Sequence, residues 1–97
     1  MSAYVIVHIE VLDPVLYERY KELAPASIAA YGGRYVARGG RTELLEGEWQ
    51  ARRVVILEFE SLERARSWLE SPEYREARAL RHRTARSQMI VVEGVAP

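Results

Sequence analysis

The chain has 97 residues, 48% hydrophobic and 29% charged, the size and make-up of one folded domain with a single core. Its 14 basic side chains balance 14 acidic ones with no basic run, which argues against a nucleic-acid surface. There is no cysteine, so disulfides, thiolate catalysis and thiolate metal sites are excluded.

All the basic residues but Lys21 are arginine. Guanidinium forks suit phosphate, but the matching number of acids makes a compositional bias the better account. The longest apolar runs, such as Ala3–Val7 and Val54–Leu57, are far too short for a membrane span. No basic stretch followed by an apolar one opens the chain, so no signal peptide is expected and the cytoplasm is the expected location.

Ala3 to Val11 reads as a strand rich in β-branched residues. Asp13-Pro14 is a helix start, a capping carboxylate followed by proline in the first turn. Leu16, Tyr20, Leu23 or Ala24, Ile28 and Tyr31 recur at helical spacing. Pro25 predicts a kink or restart near Ala24, because proline brings no amide hydrogen to the helix ladder. Gly32-Gly33 ends the helix. Arg34 to Arg38 is a second strand, interrupted by a bulge at Gly39-Gly40 and resuming from Arg41 to Leu45. After a turn at Gly47 to Ala51, Arg53 to Glu60 forms the third strand. Ser61 caps a short helix carrying Leu62, Ala65, Trp68 and Leu69, and Ser71-Pro72-Glu73 starts another that runs through Tyr74, Ala77, Leu80 and Arg81. Ser87 to Glu93 is the last strand.

Strand, helix, strand, strand, helix pair, strand is the ferredoxin-like α+β order, β-α-β-β-α-β, with the helices on one face of an antiparallel sheet and residues 1–97 forming one domain. Alternation assigns the faces. Ala3, Val5, Val7, Ile9 and Val11, with Val55, Leu57 and Phe59, belong under the helices. Tyr4, Ile6, His8 and Glu10, with Val54, Ile56, Glu58 and Glu60, lie opposite. The apolar patch Tyr4, Ile6, Val54 and Ile56 has no helix to cover it, so a second copy stacked on this face is expected.

Tyr31-Gly32-Gly33-Arg34, Arg38-Gly39-Gly40, Leu45-Glu46-Gly47, Glu58-Phe59, Ala65, Trp68 and Ser71-Pro72-Glu73-Tyr74 together resemble the bacterial domain-of-unknown-function family 1330. Asp13 and Tyr20 before them, and Arg81 and Val92-Glu93-Gly94 after, extend the resemblance over nearly the whole chain. It implies a dimeric α+β barrel, two four-stranded sheets packed face to face, and it brings no established reaction. The wider superfamily holds cofactor-free monooxygenases, haem-degrading enzymes, isomerases and ligand binders, so the resemblance supports a pocket more than a chemistry.

Glu58 would be a carboxylate on a face that dimerisation buries, either half of an ion pair or a general acid or base. His8, one strand away, is either a proton relay or a hydrogen-bonded structural residue. Arg38, beside the glycine pair, is either a fork for a ligand carboxylate or the ion-pair partner of Glu58. Trp68 and Tyr74 are either core aromatics or the walls of a pocket between helix and sheet that takes a small planar ligand, with Arg81, seven residues beyond Tyr74, as its cap. His82, between Arg81 and Arg83, is expected at the surface, and with two isolated histidines no metal site is expected. No phosphate-binding or nucleophile-elbow motif occurs, and no cofactor is expected. The expected function is small-molecule binding by a homodimer without catalysis. The alternative is a cofactor-independent oxygenase or isomerase acting on a small organic acid or aromatic compound.

Overall fold

Three capping side chains fix where the helices begin in the computed structural model, which describes residues 1–97. Asp13 Oδ1 accepts from the Leu16 amide at 3.1 Å and opens α1, Pro14–Ala30. Ser61 Oγ accepts from the Arg64 amide and opens α2, Leu62–Leu69. Ser71 Oγ accepts from the Tyr74 amide and opens α3, Pro72–Thr84. Each satisfies an amide that the first helical turn cannot.

The strands are β1 (Ala3–Val11), β2 (Arg34–Arg38), β3 (Arg53–Phe59) and β4 (Ala85–Glu93), in a fully antiparallel sheet ordered β2-β3-β1-β4. This is the ferredoxin-like α+β arrangement, and no helix is long and apolar enough to cross a membrane. The predicted alternation holds in the two central strands. Val5, Val7, Ile9, Val55, Leu57 and Phe59 are buried, while Tyr4, Ile6, His8, Val54, Ile56 and Glu58 between them keep partial exposure.

The core is aromatic. Trp68 sits between Phe59 and Tyr74, with ring centroids 5.4 and 4.2 Å away. Its indole N–H donates to Ser27 Oγ at 3.1 Å, and Ser27 in turn donates to the Ala24 carbonyl at 2.7 Å. Gly33 leaves room for this cluster, because a Cβ there would stand 2.5 Å from the Phe59 ring. Tyr17, outside the predicted apolar face of α1, is buried in the core as well.

The structure corrects three expectations. Of the kink or restart expected near Ala24, the restart is absent, because helix α1 runs through Pro25 to Ala30 as one element. The carbonyl deprived of its partner by Pro25 is that of Lys21, four residues earlier, and Arg38 Nη2 donates to it at 2.9 Å. A side chain from the neighbouring layer thus replaces the missing amide. The second strand does not resume over Arg41 to Leu45, because residues 40–52 form an exposed connection outside the sheet. Gly39, with φ of 68°, turns the chain out of the sheet there. The bulge lies earlier than the glycine pair. Tyr35 pairs with Leu57 and Ala37 with Ile56, so Val36 is the extra residue.

Candidate functional site

That one-residue bulge decides what the arginines of β2 can reach. Before it, Arg34 stands opposite Glu58 on the face without helices. After it the phase has shifted, and Arg38 stands opposite Val55 on the helix side. The expected Arg38–Glu58 pair is therefore not formed. Arg38 lies over the Tyr35 ring, its guanidinium carbon 4.5 Å from the centroid, and bonds to Lys21. Glu58 is held by Arg34, with Nη2 at 2.6 Å and Nε at 2.8 Å from Oε1, and the Tyr4 hydroxyl donates to Oε2 at 3.3 Å. The Ser2 side chain, with Arg34 and Tyr4, holds the Glu58 carboxyl below the usual carboxylate range against a smaller opposing effect of burial. A carboxyl tuned this way is an ion-pair partner, not a general acid poised near neutrality.

Trp68 and Tyr74 are 1% and 0% exposed and stack on each other as core. The Tyr74 and Tyr20 hydroxyls share a hydrogen bond of 2.7 Å, and Arg81 Nε donates to Tyr74 Oη at 3.3 Å. Arg81, 5% exposed, also donates to Ser87 Oγ and so ties α3 to β4. It forms no ion pair; its partners are Tyr74, Ser87 and His82. Burial, the neighbouring Tyr74 and their shared hydrogen bond push the Tyr20 phenol up, and burial does the same for Tyr17 and Tyr35, which keeps all three protonated at neutral pH. His82, exposed as expected, is held below the usual histidine range by partial burial and by Arg81 and Arg78.

The void between α1 and the sheet measures only about 20 Å³, the room of one water. Tyr17 Oη and Arg53 Nε are buried without a protein partner, and both residues border this void. A separate apolar notch of about 130 Å³ between α2 and β4 reaches Trp68 and Met89 but not Tyr74. Trp68, Tyr74 and Arg81 thus meet around packed rings.

Open space of ligand size lies on the opposite face. His8 Nε2 accepts from the Arg52 amide at 2.9 Å, which places the proton of the neutral ring on Nδ1. The same ring leans on Trp49, with centroids 5.4 Å apart. Together they fasten the end of the 40–52 connection to β1, leaving a cleft of about 480 Å³ on one side and one of about 690 Å³ on the other. His8, Arg52, Arg86 and Glu10 line the first; Ile6, Val54 and Leu44 line the second. The second cleft opens on to the apolar face, where β4 adds Ile90 and Val92, 62% and 46% exposed, to Tyr4, Ile6, Val54 and Ile56. Sequence alternation finds His8 but not Trp49 or Arg52, which only the folded connection brings to it, nor Arg86, because β4 begins at Ala85, two residues before the expected Ser87. No group of three or more His, Asp or Glu side chains is placed to hold a metal ion.

The fold recurs in solved structures. A protein of unknown function from Rhodopseudomonas palustris superposes with a TM-score of 0.77 at 19% identity, covering 99% of this chain and 84% of that one. SnoaB, a cofactor-independent oxygenase from Streptomyces nogalater, gives 0.67 at 14%, covering 99% and 95%. A dimeric protein of unknown function and ferredoxin-like fold from Bacteroides fragilis gives 0.60 at 17%, covering 96% of each chain. At such identities the likeness is one of fold alone. The sequence matches no curated protein. Residues 2–95 match the family described as Domain of unknown function (DUF1330), and the chain belongs to that family.

Proposed function

We propose that this protein is a homodimer joined through its open sheet face, and that it binds a small organic molecule without catalysis of its own. The uncovered apolar face carries the reading. Tyr4, Ile6, Val54, Ile56, Ile90 and Val92 form one continuous patch on the side opposite all three helices. A two-fold axis through the patch lets a second copy cover it with no further element. The dimeric neighbour from Bacteroides fragilis supports the same assembly. The clefts beside the patch, bordered by the 40–52 connection, are of the volume that small ligands occupy.

The fold of SnoaB is the observation on the side of a cofactor-independent enzyme. The chemistry here does not follow it, because Glu58 is committed to Arg34 and the void beneath α1 has room for one water. We read the protein as bacterial and cytoplasmic, which its bacterial fold neighbours and the lack of a spanning helix support. Its zero formal net charge supports a partner list without nucleic acid. Sedimentation equilibrium at micromolar concentration tests the assembly: two chains of 11.1 kDa are expected in one particle, and a single chain refutes it.

A further inference from the structure

Around the His8 cleft, positive charge exceeds negative, and no ion pair of the chain takes it up. The four ion pairs of the structure join Arg19 to Glu22, Lys21 to Glu18, Arg34 to Glu58 and Arg41 to Glu43. Arg52 and Arg86, both lining the cleft, take part in none. Glu10 is the cross-strand partner of Arg86, yet the two do not come within ion-pair distance. Two guanidinium groups against one carboxylate leave the cleft with one excess positive charge. Trp49 supplies an aromatic wall, and Gln50 and Gln88 supply amide donors and acceptors.

We propose that this cleft is a binding site for a small planar monocarboxylate, its carboxylate held by Arg52 and Arg86 and its flat body laid against Trp49. The inference rests on the ligand-binding reading above and names the chemical class for it. An arginine fork matches the two oxygens of a carboxylate; Arg52 engages one Nη2 donor, on Gln50 Oε1 at 3.4 Å, and its remaining donors, with those of Arg86, are free for a ligand. One excess charge suits a monoanion better than a doubly charged phosphate. The site is prepared before the ligand arrives, because His8 fixes both ends of the wall: its ring supports Trp49 and its Nε2 anchors the Arg52 backbone. Closing a second copy over the neighbouring apolar face removes water from the cleft rim and strengthens each charged contact inside.

Trp49 makes the site directly readable, since the other tryptophan, Trp68, is buried in the core. Titrating the protein with benzoate, and with benzamide as its uncharged counterpart, while following tryptophan fluorescence and binding heat tests the proposal. Benzoate is expected to give a saturable response that Trp49→Phe abolishes in fluorescence. Benzamide is expected to bind roughly tenfold or more weakly, and Arg52→Gln and Arg86→Gln each to weaken benzoate by a similar factor, the effect of one charge-assisted contact. Both arginines are exposed, so neither change disturbs the core. No saturable benzoate response, equal binding of the two probes, or indifference to both arginine changes overturns the site. The particle mass measured in the same samples separates the two readings. Charge-dependent binding to a single chain keeps the anion site and refutes the dimer, whereas a dimer indifferent to benzoate does the reverse.

Discussion

Ile90 offers the sharpest test of the assembly, because in a single chain it does nothing for the core. It is 62% exposed in the middle of β4, on the face away from the helices. Moving an isoleucine side chain fully out of water is worth roughly 1.5–3 kcal/mol, so the part still exposed stands to gain about 1–2 kcal/mol when covered. Two-fold symmetry counts the residue twice, about 2–4 kcal/mol per dimer. Losing it raises the dissociation constant roughly 30- to 1,000-fold. Ile90→Asp adds two carboxylates facing an apolar partner without a countercharge, so the variant is expected to sediment as a single chain at micromolar concentration. Its circular dichroism spectrum should match that of the parent, since nothing buried is touched. Ala79→Asp, on the exposed side of α3, is the control and should leave the dimer intact. An Ile90→Asp protein with the parent's dissociation constant refutes the sheet-face interface.

Glu58 is expected to titrate below the ordinary carboxylate range by carbon-detected NMR, with Arg34→Met raising its midpoint and Arg38→Met leaving it unchanged. Because the folded-state pKa is the lower one, this pair stabilises the protein above the unfolded-state pKa, and the contribution disappears as pH falls through the folded value. Ser27→Ala leaves the indole N–H of Trp68 buried without an acceptor, an expected loss of about 1–3 kcal/mol that thermal denaturation reads as a Tm lower by at least about 4 °C. Arg38→Ala is expected to destabilise the parent by about 0.5 kcal/mol more than a Pro25→Ala background, where an amide hydrogen is again available to Lys21 and only the contact with Tyr35 is lost. A double-mutant cycle showing the same effect in both backgrounds contradicts that account.

The sheet and its faces were legible because β1 and β3 lie at the centre, where one wholly apolar flank must be buried, and the period-two pattern records it. The helix starts were legible because Asp13, Ser61 and Ser71 act within three residues of themselves. Edge strand β2 hid its bulge. Arg34-Tyr35-Val36-Ala37-Arg38 sets three consecutive apolar residues between two arginines, a run with no period-two signal, and its largest aliphatic residue, Val36, is the one left out of register. The glycine pair drew attention to the wrong end of the strand, since Gly39 serves to leave the sheet. Pro25 misled in a similar way, because the group that repairs the helix comes from thirteen positions along the chain and from another layer. The cleft was half legible: His8 follows from strand parity, while Trp49 and Arg52 reach it through a connection with no periodicity to read.

The bulge at Val36 also makes β2 a strand read in two frames, and the extra residue is what separates them. Drawing Val36 into the ladder opposite Ile56 would put Ala37 opposite Val55 and carry Arg38 to the open face, where Arg34 and Glu58 already stand. Lys21 would lose the donor that stands in for Pro25, and the open face would gain a second guanidinium near its one neutralised carboxylate. Removing Val36 altogether would do neither, because Ala37 and Arg38 keep their partners Ile56 and Val55 and each charge keeps its layer. One unpaired residue thus assigns the two arginines of a five-residue strand to opposite sides of the sheet.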